Sequence, residues 1–184
     1  MGSYIWGKKF VVNYLKEKFP VRSSCLDIGP CNGKWFRLLG DYFVMDAVEA
    51  WKPYIIKHKL ENKYRNLTHA SIVDFVDDND DFYYDIIIMG DVLEHLTIED
   101  GQKVLDKIHP RCQELVVAVP FLFKQRAIRG NPFEIHIQED LTPELFEQRY
   151  PGFKAIWQNK KYCYYVKNED KSLKNKKTSK KEDK

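Results

Sequence analysis

Short apolar runs alternate with amphipathic stretches along most of the chain. The runs at 84–89 and 114–119 are rich in Ile and Val, which is typical of strands buried on both faces of a parallel sheet. Residues 42–48 form a shorter run of the same kind. Segments 8–19 and 98–108 instead place their apolar residues at helical spacing. This alternation predicts an α/β fold with a mostly parallel sheet.

Turn residues and helix caps complete the predicted element order. Further elements are a strand at about 24–28, a strand at 67–72 with an acidic loop after it, and helices at 32–39, 53–60 and 142–150. Residues 121–140 form a long segment without clear periodicity. Two short runs at 153–157 and 162–166 predict a closing hairpin. One strand at the end of the sheet should therefore be antiparallel to the others.

The charge of the chain is concentrated near its end. The 184 residues suit one domain and carry a net charge of +3. Residues 167–184 contain eight lysines against four acids, so this segment carries +4 and the remainder −1. With Leu173 as its single apolar residue, the segment cannot build a core. We predict a domain at 1–166 and a Lys-rich disordered tail at 167–184, which is more typical of a solubilising segment than of a nucleic-acid arm.

The four cysteines form no CxxC pair, which argues against a zinc ribbon or a thioredoxin-type site. Free thiols in a reducing compartment are the simplest interpretation. The first residues lack the apolar stretch of a signal peptide, and the longest apolar run, 115–123, is too short to span a bilayer. These features predict a cytoplasmic protein without a membrane segment.

A glycine-containing turn follows the first predicted strand, with Gly29 and Gly33 placed after Asp27. The spacing differs from the dinucleotide pattern GxGxxG, and a carboxylate just before the turn favours a cationic ligand over a pyrophosphate. A second carboxylate at the end of the next strand could accept hydrogen bonds from ribose hydroxyls. Glu49 and Asp46 are both candidates, and Glu49 is preferred because Asp46 would cut the strand short.

Four blocks, at 27–33, 48–54, 84–87 and 91–96, resemble the motifs of class I S-adenosylmethionine-dependent methyltransferases. The resemblance spans 25–166, and the block DVLEHL at 91–96 is more specific than the glycine turn. It implies a Rossmann-like, doubly wound, seven-stranded sheet that is mostly parallel with the last strand antiparallel. That arrangement agrees with the hairpin expected from the residues themselves.

The resemblance also implies a cofactor, S-adenosylmethionine, and its product S-adenosylhomocysteine. The methionine part would lie at the glycine turn, the ribose at Glu49, and the adenine near Ala50 and Trp51. Where the family often has an Asp for the adenine amino group, this chain has Ser71, with Asp74 as an alternative. The implied cofactor-binding set is Asp27, Gly29, Pro30, Asn32, Gly33, Glu49, Ala50, Trp51, Ser71, Ile72, Asp91 and Val92.

Two histidines are candidate bases for removing a proton from the acceptor. His95 follows the fourth main strand, and His136 lies in the long segment before residue 140. A local structural role is an equally good interpretation of each, and Glu94 with His95 could simply start a helix. Four charged residues of the same segment form a candidate substrate loop: Lys124, Arg126, Arg129 and Glu134. Ligand spacing indicates no metal site, although Asp91, His95, Glu134 and His136 have suitable side chains.

The sequence therefore favours a methyltransferase that acts on oxygen or nitrogen of a small molecule or glycan. RNA or protein methylation is an alternative in which the lysine-rich tail would assist, so nucleic acid is a possible but less favoured partner. A catalytically inert cofactor-binding partner subunit and a nicotinamide-dependent oxidoreductase are further alternatives. The residues do not identify the acceptor or the oligomeric state.

Overall fold

The computed structural model of the chain describes residues 6–167, which contain six α-helices and one seven-stranded sheet. The strands are β1 Ser24–Ile28, β2 Val44–Glu49, β3 Leu67–His69, β4 Tyr84–Gly90, β5 Cys112–Pro120, β6 Phe153–Asn159 and β7 Tyr162–Lys167. The helices are α1 Lys8–Lys18, α2 Lys34–Leu39, α3 Lys52–His58, α4 Ile72–Asp78, α5 Ile98–Ile108 and α6 Pro143–Arg149.

The sheet order is β3-β2-β1-β4-β5-β7-β6. The strands β1 to β5 pair in parallel, whereas β7 is antiparallel to both β5 and β6. This is the Rossmann-like, doubly wound arrangement expected from the sequence, and it confirms the predicted fold class. The chain order reverses beside β1, where β2 lies on one side and β4 on the other. Ligands of open α/β sheets bind at such a point, outside the carboxyl ends of the strands.

Helices cover both faces of the sheet, which explains why its central strands are apolar on both sides. Ile86 to Met89 of β4 are fully buried. One core cluster joins the sheet to α4, α5 and α6 through residues such as Phe146, and the other joins it to α1, α2 and α3 through residues such as Leu15. The long strands are thereby held between two layers, with their ends free to form a site.

Local capping agrees with the sequence at two helices. Thr97 and Thr142 precede α5 and α6, and each side-chain oxygen accepts a hydrogen bond from a first-turn amide. Such caps satisfy one of the amides that a helix start leaves without an internal partner. The predicted start of α6, with Pro143 in its first position, is confirmed.

The prediction for the acidic segment was wrong. The predicted strand at 67–72 ends at His69, and helix α4 begins at Ile72 and covers the first half of the expected loop, to Asp78. Ile72, Phe75 and Val76 recur at helical spacing and are buried in the core. Ser71 caps the helix by accepting from the amide of Asp74 at 3.1 Å. The aspartates of α4 lie on the opposite, solvent-exposed side of the helix, and in the sequence they interrupt the apolar spacing.

The end of β7 includes the first residue of the predicted tail. The ammonium of Lys167 donates to the carbonyls of His109 and Cys112 at 2.6 Å each. The rest of that predicted segment, 168–184, lies outside the described residues. All four cysteines are free thiols, as expected.

Within residues 6–167, no helix has both the length and the apolar character needed to cross a membrane.

Candidate functional site

A cavity of about 710 Å³ opens at the carboxyl ends of the central strands. Its walls come from the turn after β1, the ends of β2 and β4, the start of α4, and the segment around 131–137. The volume lies within the range of small-molecule sites, about 300–1,000 Å³. The cavity therefore occupies the place where an open α/β sheet binds its ligand.

The turn after β1 needs glycine at residue 29 on two grounds. Gly29 has a φ of 67°, in the left-handed region. A Cβ there would also lie 2.6 Å from Cγ2 of Val92, which is too close for any packed side chain. Bare backbone at Gly29 consequently allows the β1 and β4 turns to meet at the floor of the cavity.

Glu49, the last residue of β2, faces this cavity. Its carboxylate accepts from the amide of Cys31 at 2.9 Å and from the amide of Trp51 at 2.8 Å. Burial raises the pKa of Glu49, and the two backbone hydrogen bonds oppose that rise. The side chain is held in one orientation and keeps lone pairs for a ligand hydroxyl.

The alternative carboxylate, Asp46, lies away from the cavity inside β2. It accepts hydrogen bonds from the guanidinium of Arg65, the amides of Asn66 and the hydroxyl of Tyr84. Burial acts to raise the pKa of Asp46, but the bonds from Arg65 and Tyr84 outweigh it and lower the pKa. Its carboxylate is thus committed to holding β2, β4 and the segment before β3 together.

Asp27 lies beneath the cavity and does not form part of its wall. Its side chain is fully buried, and Tyr64 donates its hydroxyl to Oδ2 at 2.5 Å. Oδ1 has no hydrogen-bond partner among residues 6–167. Burial raises the pKa of Asp27 from its ordinary 3.8 to about 7, against the lowering effects of Tyr64 and Lys8. Asp27 can therefore act on the cavity through its charge but not through a wall contact.

Nine of the twelve residues expected to bind the cofactor line the cavity: Gly29, Pro30, Asn32, Glu49, Ala50, Ser71, Ile72, Asp91 and Val92. Asp27, Gly33 and Trp51 do not. Trp51 instead lies beside Phe133, with ring centroids 6.4 Å apart. The oxygen of Ser71 is already bonded to Asp74, which limits what it can offer to a ligand.

Glu94, His95 and His136 meet at the wall of the cavity, and a ligand atom of each lies within 4.8 Å of the others. Nδ1 of His95 is 3.0 Å from the carbonyl of Ile135, and Nδ1 of His136 is 2.7 Å from the carbonyl of Phe123. Because a carbonyl only accepts, the neutral ring of His136 carries its proton on Nδ1 and keeps a lone pair on Nε2. The ring of His95 has two backbone carbonyl partners, those of Ile135 and Asp91. The two rings are 4.7 Å apart between centroids.

Burial lowers the pKa of both histidines. For His95 the carbonyls of Ile135 and Asp91 oppose this effect, and for His136 the neighbouring His95 adds to it. Both rings are therefore neutral near pH 7. The carboxyl of Glu94 is 1 % exposed, and its pKa is raised well above the ordinary value by burial and by Asp91.

Backbone bonds fix the position of this cluster. The amides of Ile137 and Gln138 donate to the carbonyl of Glu94 at 2.9 and 3.0 Å. The side-chain amide of Gln138 donates to the carbonyls of Leu93 and Leu96. These bonds attach the long segment before α6 to the turn after β4, and so bring His136 to residues more than forty positions earlier in the chain.

The predicted substrate loop is only partly at the cavity. Glu134 lines it and accepts from the hydroxyl of Tyr54 at 3.0 Å. Lys124 is exposed and pairs with Glu139 at 3.0 Å. Arg126 and Arg129 are exposed and are not among the lining residues.

Sequence reasoning did not include Glu94 in the binding set, although it faces the cavity. The block DVLEHL pointed to this position, but the importance of Glu94 depends on its being buried against His136. Trp6, Tyr54, Phe123 and Phe133 also contribute to the wall. Tyr54 belongs to the block at 48–54, whereas Trp6, Phe123 and Phe133 lie in no motif or regular pattern that indicates them.

Comparison with solved structures identifies the fold, at low sequence identity. An S-adenosylmethionine-dependent methyltransferase from Clostridium acetobutylicum superposes with a TM-score of 0.65 at 12% identity, over 87% of this chain and 89% of that one. N-methyltransferase NodS from Bradyrhizobium japonicum gives 0.59 at 12% identity, over 87% and 94%. An O-methyltransferase family protein from Burkholderia thailandensis gives 0.58 at 12%, over 86% and 54%.

The chain matches no protein-family model, and no curated protein matches it in sequence.

Proposed function

We propose that this chain, which has the fold of class I S-adenosylmethionine-dependent methyltransferases, transfers a methyl group to oxygen or nitrogen of a small molecule or glycan. The observation that carries the proposal is the position of Glu49. It stands at the end of β2 in the same cavity as the glycine turn and the His95–His136 pair. Cofactor recognition and acceptor chemistry would therefore share one space.

The charged residues of the cavity suit a cationic cofactor. The wall carries four carboxylates, Glu49, Asp91, Glu94 and Glu134, against one lysine, Lys34. S-Adenosylmethionine, when bound, supplies an electrophilic methyl group on a positively charged sulfur. Glu49 would accept hydrogen bonds from its ribose, and the backbone at Gly29 would approach it without a side chain in the way.

The acceptor would lie on the side of the cavity formed by the two histidines and by aromatic residues. Phe123 supplies apolar surface there, with its ring centroid 5.3 Å from that of His136. Both histidines are neutral, and each neutral imidazole has one nitrogen lone pair that can take a proton from an acceptor hydroxyl or amine. On His136 that nitrogen is Nε2, because its Nδ1 donates to the carbonyl of Phe123. Their fixed orientation would hold the proton acceptor still while the acceptor atom is aligned with the methyl group.

Calorimetry with S-adenosylhomocysteine tests the cofactor half of the proposal. We expect micromolar binding that Glu49→Gln weakens about 10- to 100-fold, because hydrogen bonds to a carboxylate contribute about 1.5–3 kcal/mol. Glu147→Gln, on the exposed side of α6, is the matched control and should bind like the parent. Absence of S-adenosylhomocysteine binding, or binding of NADH in its place, would reject the proposal.

A screen of metabolite fractions with methyl-labelled cofactor tests the transfer itself. A labelled small product, identified by mass, is the expected outcome. His95→Asn should reduce product formation while leaving S-adenosylhomocysteine binding intact. Cofactor binding without transfer to any fraction would instead favour an inert, cofactor-binding subunit.

A further inference from the structure

We infer that Glu94, His95 and His136 form a binding site for one divalent transition-metal ion at the wall of the cavity. The three side chains offer a carboxylate oxygen and two imidazole nitrogens, all within 4.8 Å of one another. Two histidines and one carboxylate suit first-row ions such as Fe²⁺, Co²⁺ and Zn²⁺. Hard ions such as Mg²⁺ favour oxygen ligands and should bind this set more weakly.

The carboxylate of Glu94 is an independent sign that a cation belongs here. It is 1 % exposed, and neither of its oxygens has a hydrogen-bond partner among residues 6–167. A buried carboxylate without a partner is costly, and buried charges in proteins are paired or bind metals. Nε2 of the neutral His136 lies 4.0 Å from Oε1. That distance is too long for a hydrogen bond and leaves room for an ion between the two atoms.

The histidines are oriented as metal ligands usually are. Metal-binding histidines typically donate the N–H of one ring nitrogen to a carboxylate or carbonyl, which directs the other nitrogen to the ion. Nδ1 of His95 and Nδ1 of His136 make such bonds to backbone carbonyls, at 3.0 and 2.7 Å. Both rings are thus held by the backbone, and Nε2 of His136 is available to an ion.

The ligand atoms, which are at most 4.8 Å apart, need to approach by less than about 2 Å on binding. Ligand bonds of about 2.0–2.2 Å place neighbouring ligand atoms roughly 3.0–3.6 Å apart. Closing the 4.0 Å gap between Glu94 and His136 therefore takes less than about 1 Å, within reach of side-chain rotation. The backbone bonds from Ile137 and Gln138 to Glu94 keep the two sides of the site together.

Three protein ligands leave coordination positions open, as in catalytic metal sites. All three residues line the cavity, so an open position would face the space assigned to the acceptor. An acceptor bearing a hydroxyl group could occupy it, and the ion would lower the pKa of that hydroxyl. This last step rests on the proposed function, whereas the metal site itself does not.

Titration of the full-length, metal-free protein with Co²⁺, followed by visible absorption and calorimetry, tests the site without cofactor or acceptor. We expect about one Co²⁺ per chain. Glu94→Gln and His136→Gln should each weaken binding about 100-fold or more, since even partners outside the ligand set alter affinity 10- to 100-fold. His109→Asn, in the connection between α5 and β5, controls for weak binding to other histidines and should bind like the parent.

Glu94→Gln keeps the shape of the side chain and removes the carboxyl ligand, so it should fold, and circular dichroism checks this. Unchanged Co²⁺ affinity in both folded variants would overturn the site, as would an equal loss in His109→Asn. Absence of Co²⁺ binding by the parent would also overturn it and leave Glu94 as a protonated carboxyl. Binding of S-adenosylhomocysteine, measured separately, decides the proposed function whichever way the Co²⁺ result falls.

Discussion

Replacing Asp27 with Asn should raise the free energy of unfolding of the ligand-free protein at neutral and alkaline pH. Burial holds the pKa of this carboxyl at about 7 in the folded state, against an ordinary 3.8. Between these values the folded protein keeps a proton that the unfolded chain has lost. The contribution of Asp27 to the free energy of unfolding is therefore fully present below the unfolded pKa and is lost as the pH rises through the folded pKa.

The magnitude follows from the difference between the two pKa values. Each pKa unit corresponds to about 1.36 kcal/mol, so the three-unit rise makes ionised Asp27 cost about 4 kcal/mol. An amide at residue 27 can still accept from Tyr64 but does not titrate. The advantage of Asp27→Asn over the parent should consequently grow from near zero at about pH 4 to about 4 kcal/mol at about pH 8.

Urea unfolding followed by tryptophan fluorescence, repeated across this pH range, measures the difference. Asp46→Asn, in the adjacent strand, is the matched control with the opposite sign. Its carboxyl has a lowered pKa, so its stabilising effect is present above the unfolded pKa and is lost as the pH falls through the folded pKa. A pH-independent difference for Asp27→Asn, or a variant less stable than the parent at about pH 8, would refute the reasoning.

Three further substitutions, and one control, test the packing and capping of the fold. Gly29→Ala should lower the free energy of unfolding by about 3 kcal/mol, because the cost of a left-handed φ adds to the cost of a clash with Val92. The control Gly152→Ala has a positive φ but no neighbouring atom to clash with, so it should lower the free energy of unfolding by about 1 kcal/mol. Urea unfolding measures both. Equal losses would contradict the role of the clash. Thr142→Ala should destabilise by about 1 kcal/mol and speed amide hydrogen exchange in the first turn of α6, while unchanged exchange there would count against the cap. Leu15→Ala should lose about 2–5 kcal/mol of unfolding free energy, and a loss below about 1 kcal/mol would argue that α1 packs only loosely on the sheet.

The order of strands and helices was predictable because it follows from the local periodicity of apolar residues. The apolar run 84–89 indicates a buried strand and Thr142 indicates a helix start, and each signal lies within a few consecutive residues. Helix α4 escaped prediction because its short apolar stripe at Ile72, Phe75 and Val76 is interrupted by aspartates. Ser71, three residues before Asp74, was the available signal for that helix start.

The candidate site was only partly predictable because it depends on contacts between distant segments. Turn residues such as Gly29 and a strand-end acid such as Glu49 follow from the order of the elements, since parallel strands end at one edge. The contact between Glu94 and His136 does not, because hydrogen bonds from a segment without periodicity determine it. The burial of Glu94 without partners is likewise visible only in three dimensions.

The strand β7 lies between β5 and β6 and follows both of them in the chain. During synthesis on the ribosome, β5 is therefore present with an unpaired edge until Tyr162 to Val166 have emerged. An uncovered apolar edge can pair with other chains and aggregate. The sheet is therefore completed late in translation, when the tyrosine-rich strand β7 pairs with β5. Until then the nascent chain is prone to aggregate. A pause or a premature stop just before residue 162 should make the nascent protein depend on chaperones.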